Sequence, residues 1–173
     1  MKQTVSNADK YTIPAQADIG HVHLKVSDLD KSLKFYRDLL GFELMTMYGD
    51  QAAFVSAGGY HHHIGLNTWH SNGASPAPRN GVGLYHVAIR YPSRKDLAVI
   101  LDRLRTSRYP LTGASDHGVS QALYLNDPDG NGIELYWDRP KEEWPYNADG
   151  SIGMVTLPLD LADLLEELDK SRP

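Results

Sequence analysis

The chain has 173 residues, of which 41% are hydrophobic and 23% charged, with a net charge of −5 and no cysteine. This composition is typical of a globular domain and excludes disulfides, thiolate metal sites and cysteine nucleophiles. The negative charge argues against nucleic acid as a partner, and no apolar run approaches the roughly 20 residues that cross a bilayer. Because the amino end also has no signal-like apolar core, we expect a cytoplasmic protein that acts on a small molecule, with no nucleic acid or membrane partner.

An internal repeat organises the sequence. Residues 20–26 (Gly-His-Val-His-Leu-Lys-Val) and 85–90 (Tyr-His-Val-Ala-Ile-Arg) share a His-Val-x-aliphatic-basic order at an offset of 65 positions (86 − 21). Each segment predicts a short strand. Self-similarity at a fixed offset predicts two copies of one structural unit.

A helix is predicted after each of these strands. The first begins near Asp28 or Asp30 as N-cap, has one apolar face and ends at Gly41. The second begins at residues 92–93 (Pro-Ser) and ends at Pro110, and its leucines also recur with helical spacing. Both apolar stripes are typical of a helix packed on a sheet, so we assign them no catalytic role.

Each helix is followed by three predicted strands. They are residues 42–47, 51–57 and 63–68 in the first copy, and 111–114, 120–125 and 132–137 in the second. The order βαβββ therefore occurs twice. We expect an α+β fold in which two pseudo-equivalent βαβββ modules form a curved mixed sheet around a metal cleft, with a C-terminal helical tail.

The pattern also predicts a division into one domain with two flanking segments. These are an N-terminal extension (1–17), the domain (18–140, with modules of about 18–70 and 82–140) and a C-terminal tail (141–173). A stretch rich in Gly, Pro and Ser at 71–81 is a linker or a lid. The tail is expected to turn at 147–150 and to end in a helix from Pro158 to about Leu168, which packs on the sheet or on a second subunit.

The repeat also indicates a metal site. If the first and last strands of both modules surround a shared cleft, the equivalent inward positions are His21 and His86, then Gly65 and Glu134. Two imidazoles and one carboxylate leave coordination positions open, as in non-heme Fe(II) oxygenases. The candidate metal ligands are therefore His21, His86 and Glu134. His23 shares a strand face with His21 and is its rival, but its counterpart in the second copy is alanine.

Three further residues are candidates for proton transfer. His63 shares a strand face with Gly65 and would act as a base on a bound hydroxyl group. A surface metal tract is the alternative for residues 61–63. Tyr124 lies on the strand before Glu134, and His117 lies in the loop that enters that strand; either would donate a hydrogen bond. Core packing of Tyr124 and an ordinary turn around His117 are the competing interpretations.

Five segments carry a family resemblance. They are Gly-His-Val at 20–22, Phe-Tyr-Arg-Asp-Leu-Leu-Gly-Phe at 35–42, Tyr-His-His-His-Ile-Gly-Leu-Asn at 60–67, Gly-Leu-Tyr-His at 83–86 and Asp-Pro-Asp-Gly-Asn-Gly-Ile-Glu-Leu-Tyr at 127–136. Roughly residues 18–140 thereby resemble the vicinal-oxygen-chelate superfamily, which includes glyoxalase I, fosfomycin-resistance enzymes, bleomycin-binding proteins and extradiol dioxygenases. The resemblance is nearest to the catechol 2,3-dioxygenase branch.

This resemblance implies an activity and a role for each candidate residue. In that branch the two matching histidines and the glutamate hold Fe(II), or sometimes Mn(II), and the histidine in the slot of His63 acts on the substrate proton. The tyrosine ten residues before the glutamate (134 − 10 = 124) lies near the metal. The implied reaction is extradiol cleavage of a catechol-type aromatic substrate by O₂, with Tyr124 or His117 as donor. Because many members have additional modules, we expect a homodimer to supply replacement walls.

Two other interpretations stay open. A glyoxalase or an epoxide-opening thiol transferase would use the same scaffold, although Gly65 stands where the resemblance implies a fourth carboxylate ligand in glyoxalases. A metal-free binding protein of the bleomycin-resistance kind would not need three ligand types at matched repeat positions.

Overall fold

The structure is a computed structural model that describes residues 11–78 and 80–171. Part of the predicted N-terminal extension (1–10), Arg79 of the predicted linker and the last two residues lie outside the described residues. The strands are β1 (Val22–Lys25), β2 (Glu43–Tyr48), β3 (Ala52–Ser56), β4 (Ile64–Asn67), β5 (Val87–Arg90), β6 (Gly113–Asp116), β7 (Ser120–Asn126), β8 (Gly132–Asp138) and β9 (Leu157–Pro158). The helices are α1 (Leu29–Leu33), continued by a π-helical segment (Lys34–Leu39), α2 (Arg94–Thr106) and α3 (Leu161–Glu166), with 3₁₀ turns at Lys141–Glu143 and Asp169–Ser171.

The two modules have the same topology. The first sheet has the strand order β1-β4-β3-β2, and the second has the order β5-β8-β7-β6, extended by β9. In each module the first and last strands pair in parallel, and the other neighbours are antiparallel. The α+β class and the repeated βαβββ order are thus confirmed, with one sheet for each module. The sequence did not predict β9, a tail strand that pairs with β6.

The register agrees with the equivalence deduced from the repeat. His23 lies opposite Gly65 in the first sheet, and Ala88 lies opposite Glu134 in the second. The candidate ligands His21 and His86 each lie one residue before the first strand of their module, rather than inside it. Both are therefore at the ends of parallel strand pairs.

Local chemistry explains where the helices begin and end. Asp28 caps α1 by accepting a hydrogen bond from the amide of Lys31, and Ser93 caps α2 by accepting one from Asp96. Both predicted starts are confirmed. The predicted end of α2 at Pro110 is wrong, because α2 ends at Thr106 and the chain reverses at Arg108, which has a positive φ of 55°.

One hydrophobic core extends through both modules. Its fully buried members include Val26, Tyr36, Val55 and Leu66 from the first module, Leu97, Leu123, Leu125 and Leu135 from the second, and Leu164 from the tail. Burial of these apolar side chains is the main stabilising contribution. It packs the helices against the two sheets, whose strands and adjoining loops carry the candidate residues.

The tail packs on the module that precedes it. Leu164 of α3 is buried in the core, and the flanking Leu161, Leu165 and Leu168 are partly buried against it. Arg94, at the start of α2, makes ion pairs with Asp163 and Glu167 at 2.5 and 2.7 Å. Packing within the chain, one of the two alternatives predicted for this helix, is therefore what the structure shows. No helix within the described ranges has the length and apolar character that spanning a bilayer requires.

Candidate active site

The centre of the second sheet holds a histidine–carboxylate pair. Glu134 lies in the middle of β8, opposite Ala88 on one side and Tyr124 on the other. Its Oε2 is 2.9 Å from Nε2 of His86, and its side chain is only 13% exposed. The Nδ1 atom of His86 is buried and has no hydrogen-bond partner among the described residues. Such an unpaired buried polar atom is costly and marks an unusual site.

Gly132 allows His86 to approach this strand closely. A Cβ atom at position 132 would lie 2.2 Å from the carbonyl oxygen of Tyr85 and 3.1 Å from Cβ of His86. Any side chain there would push the segment before β5 away from β8. The glycine therefore has a steric role in placing His86 beside Glu134.

Tyr124 and His117 extend the pair into a hydrogen-bonded chain. The Tyr124 hydroxyl donates to Oε1 of Glu134 at 3.0 Å and lies 2.7 Å from Nε2 of His117. Nδ1 of His117 in turn lies 2.8 Å from the carbonyl oxygen of Val155 in the tail. Partial burial, the charge of Glu134 and the hydrogen bond to it raise the pKa of Tyr124 well above its usual value. The phenol therefore keeps its proton at neutral pH.

A second group of histidines lies at the corresponding end of the first sheet. The rings of His21 and His62 have centroids 4.4 Å apart, and Nδ1 of His61 is 2.7 Å from Nδ1 of His62. Partial burial, followed by the nearby His21, lowers the pKa of both His62 and His23. These rings are consequently easier to keep neutral, the form in which an imidazole binds a metal.

His23 occupies the space beside Gly65. A Cβ atom at position 65 would lie 2.9 Å from both Cγ and Cδ2 of the His23 ring. The His23 ring also stacks edge-on against Phe54 and lies near Trp69, with centroid distances of 5.7 and 5.6 Å. A larger residue at position 65 would thus have to displace this ring.

His63, at the start of the last strand of the first module, is held by Ser56. Its Nδ1 lies 2.8 Å from the Ser56 hydroxyl oxygen and 3.3 Å from the amide nitrogen of Ala57. When the hydroxyl donates to Nδ1, the proton of a neutral ring is on Nε2. The Ala57 amide can only donate, so Nδ1 accepts in this structure and the proton of a neutral ring is on Nε2. The contacts with Ser56 and Ala57 therefore favour the tautomer of His63 that carries its proton on Nε2.

The predicted residues thus fall into two groups. His86, Glu134, Tyr124 and His117 form one network, whereas His21 and His63 lie with the histidines of the first module. In the stretches 11–78 and 80–171, no three His, Asp or Glu side chains converge in a way that could hold a metal ion. The structure therefore brings together two of the three predicted ligands.

The chemistry of that pair fits a divalent metal. A neutral imidazole nitrogen and a carboxylate oxygen 2.9 Å apart are close enough for one ion to bind both. A largely buried carboxylate needs a positive partner, and a metal ion would supply one. His21 is the remaining candidate ligand, on the other module.

Comparison with known proteins identifies the family. Residues 18–135 match the family described as the Glyoxalase/Bleomycin resistance protein/Dioxygenase superfamily. The chain belongs to this superfamily. A solved structure of a glyoxalase/dioxygenase from Nostoc punctiforme superposes with a TM-score of 0.64 at 17% identity, covering 78% of this chain and 100% of that one. At that identity the likeness supports the glyoxalase fold and says nothing of activity.

Two relatives in the superfamily carry different activities in their names. The catechol-2,3-dioxygenase of Bacillus subtilis is 38% identical over 162 residues, which cover 93% of this chain but only 55% of that protein. A probable lactoylglutathione lyase of Synechocystis is 30% identical over 133 residues, covering 71% of this chain and 97% of that one. The chain thus spans about half the length of the dioxygenase relative. Membership indicates a dioxygenase or a related metalloenzyme.

Sequence reasoning did not identify three residues that shape this superfamily site. Val155 acts through its main chain, and no side-chain pattern signals such a contact. Ser56 has a hydroxyl next to His63, but one serine in a predicted strand carries little information. The role of Gly132 could have been predicted, because a glycine in a strand often marks a place where another part of the backbone approaches closely.

Proposed function

We propose that this protein is an extradiol dioxygenase that cleaves a catechol-type aromatic diol with O₂. The observation that carries the proposal is the contact between His86 and Glu134, 2.9 Å apart, with the Tyr124 hydroxyl on the other carboxylate oxygen at 3.0 Å. The Bacillus subtilis catechol-2,3-dioxygenase is 38% identical over a stretch that covers 93% of this chain, which supports the same reaction class.

His21, His86 and Glu134 would hold the metal, which we propose to be Fe(II), with Mn(II) as the alternative that the same ligands accept. When bound, the ion supplies positive charge that favours ionisation of a diol hydroxyl, and open positions for diol and O₂. The second module already holds His86 and Glu134 in contact. Glu134 is oriented by Tyr124, because the hydroxyl occupies Oε1 and leaves Oε2 directed towards His86.

His63 is proposed as the base that takes a proton from the diol. For Nε2 to take that proton, the ring proton has to be on Nδ1, which then donates to the Ser56 hydroxyl and gives up the hydrogen bond from the Ala57 amide. Ser56 then stabilises the protonated ring by accepting from Nδ1. A neutral imidazole is a suitable base because its unperturbed pKa lies close to neutral pH.

Tyr124 and His117 are proposed as donors near the reacting oxygens. The raised pKa of Tyr124 keeps its proton available at neutral pH. His117 lies 2.7 Å from that hydroxyl, so a ring protonated on both nitrogens can replace a proton that Tyr124 gives up. Loss of either residue should therefore slow the reaction more than it weakens binding of the diol.

The space beside Gly65 supports a three-ligand site over the four-ligand site of a glyoxalase. A fourth carboxylate at position 65 would meet the His23 ring, whose Cγ and Cδ2 are 2.9 Å from the position of a Cβ atom. The lyase relative nevertheless covers 71% of this chain. Thiol-dependent lyase activity is therefore the comparison reaction in the test.

The test is anaerobic purification with metal analysis, followed by O₂ uptake and absorbance with a panel of catechols. We expect iron or manganese, O₂ consumption and a yellow ring-opened product. His86→Ala is the matched control for metal-dependent turnover. Zinc or nickel together with thiol-dependent lyase turnover would refute the proposal, as would iron-loaded protein that consumes no O₂ with any diol.

We also propose that the active form is a homodimer. Ile19, two residues before His21, and Tyr85, one residue before His86, are 93% and 90% exposed, as expected for apolar side chains that another chain covers. Light scattering should give twice the chain mass, and Tyr85→Ser should shift the protein towards the monomer. A monomer at all concentrations tested would contradict this part of the proposal.

A further inference from the structure

The tail holds the turn that carries His117 from two sides. The amide of Val155 donates to the carbonyl oxygen of His117 at 3.2 Å, and Nδ1 of His117 lies 2.8 Å from the carbonyl oxygen of Val155. Next to this contact, Leu157 and Pro158 pair with Asp116 and Ser115 as an added strand of the sheet. Both the main chain and the ring of His117 are therefore bound to the tail.

The turn is shaped to receive the tail. Gly118 has a φ of +78°, a conformation that suits glycine, and a Cβ atom there would lie 3.2 Å from Pro145 and 3.5 Å from Val155. On the other side, Asp116 accepts hydrogen bonds from the amide of Gly118 and from Arg139. The turn has little freedom to move away from Val155.

The contact with Val155 decides which ring nitrogen of His117 carries a proton. A carbonyl oxygen only accepts hydrogen bonds, so Nδ1 of His117 must be the donor. In the neutral ring, Nε2 is then an acceptor, and it faces the Tyr124 hydroxyl at 2.7 Å. That hydroxyl has one hydrogen and two acceptors, Nε2 of His117 and Oε1 of Glu134.

We propose that Val155 is a positioning residue of the active site. Its main chain holds the His117 ring in place as the Nδ1–H tautomer, so that Nε2 faces the Tyr124 hydroxyl as a second acceptor beside Oε1 of Glu134. Val155 lies beyond residues 18–135, the part of the chain that matches the superfamily. The tail thereby belongs to the catalytic unit. The consequence for rate rests on the proposed function, whereas the tautomer itself does not.

The first test is the tautomer of His117, read from ¹⁵N chemical shifts and two-bond ring correlations in uniformly labelled protein. His117→Gln assigns the signal. Wild type should show Nδ1 protonated and Nε2 unprotonated at a pH at which the ring is neutral. A ring protonated at Nε2 would overturn the inference, and this measurement does not require any tail variant to fold.

The second test changes the tail contact. Val155→Pro keeps the carbonyl group that faces the His117 ring but removes the amide that donates to the His117 main chain, so it loosens the contact that holds this carbonyl beside the ring. Val155→Ala keeps both main-chain contacts and is the matched control. The proline variant should lose the uniform Nδ1–H signal, and the alanine variant should keep it. An unchanged His117 signal in a folded Val155→Pro protein would contradict the inference.

The third test measures whether Val155 and His117 act together in the turnover of a catechol. Val155→Pro should lower kcat about tenfold with KM little changed, but by less than about twofold in a His117→Ala background. Equal effects in both backgrounds would overturn positioning through His117. If wild type turns over no diol, the proposed function fails, while the tautomer measurement still decides the inference.

Discussion

The hydroxyl of Tyr36, from the helical segment of the first module, donates a 2.9 Å hydrogen bond to Oδ2 of Asp127 in the second module. Both side chains are buried. Asp127 also accepts from the amides of Asp129 and Asn131, so the turn between β7 and β8 is built around its carboxylate. Burial and the charge of Asp127 raise the pKa of Tyr36, which therefore remains a donor. The contact ties the strand that carries Glu134 to the first module.

Replacing Tyr36 by phenylalanine should destabilise the protein. The buried carboxylate of Asp127 would lose a donor and no water could easily replace it, which costs about 1–3 kcal/mol. Urea unfolding measures the change in the free energy of unfolding. Tyr109→Phe is the control, because its hydroxyl donates to the carbonyl oxygen of Asn126 and involves no charge. A Tyr36→Phe cost no larger than that of the control would contradict the role of the charged acceptor.

Gly65→Ala should destabilise the first sheet. Its Cβ atom would collide with the His23 ring at 2.9 Å, and overpacking of this kind costs about 1–3 kcal/mol. The double variant Gly65→Ala/His23→Ala should recover most of that loss, because the obstructing ring is gone. Urea midpoints of the single and double variants measure this. Equal losses with and without the ring would show that the clash is not the cause.

Asp116 should make stability depend on acid pH. Its partial burial would raise its pKa, but hydrogen bonds from Gln121, Gly118 and Arg139 outweigh that effect and lower the pKa below its ordinary value of 3.8. A carboxyl with a lowered pKa stabilises the folded state above its unfolded pKa, and the contribution is lost as the pH falls through the folded pKa. Asp116→Asn should thus cost about 1–3 kcal/mol near neutral pH.

The difference in free energy of unfolding between wild type and Asp116→Asn should decrease below about pH 4, because the wild-type carboxyl is then being protonated. Chemical unfolding at several pH values between about 3 and 7 measures the difference. A difference that stays constant across this range would mean that the pKa of Asp116 is the same in the folded and unfolded chain.

Metal retention should separate the roles of His86 and His63. His86→Ala should abolish binding of the ion and leave the circular dichroism spectrum unchanged, because the residue lies before a strand and is partly exposed. His63→Ala should keep the ion and lower kcat by roughly 10²–10⁴, the usual contribution of a general base. Elemental analysis and steady-state kinetics measure the two effects. Full activity of His63→Ala would eliminate it as the base.

Leu164→Ala should loosen the tail. Leu164 is fully buried, so the cavity left behind should cost about 2–5 kcal/mol. Met154→Ala, in the exposed part of the tail, should change stability by less than about 0.5 kcal/mol. Thermal unfolding compares the two variants. If Leu164→Ala were as mild as the control, α3 would not be an integral part of the core.

The sequence predicted some of the spatial relationships in the candidate site and not others, for physical reasons that differ from residue to residue. Glu134 and Tyr124 occupy directly opposed strand positions, and strand alternation places both on one face. His117 was assigned to a loop, and its contact with the Tyr124 hydroxyl depends on how the turn folds back. The location of His21 relative to His86 depends on how two separate sheets are arranged, which no periodicity within one strand encodes.

By itself, the sequence determined the duplicated βαβββ order, the α+β class, the helix starts and the equivalence of His86 and His21, because strand and helix periodicities are local and are repeated here. Only the tertiary structure decided that His86, Glu134, Tyr124 and His117 form one hydrogen-bonded network, and that the main chain of Val155 terminates it. Contacts of the last kind join backbone atoms from distant parts of the chain. Such contacts do not require a particular side chain, so the sequence does not reveal them, and they depend on how the chain packs.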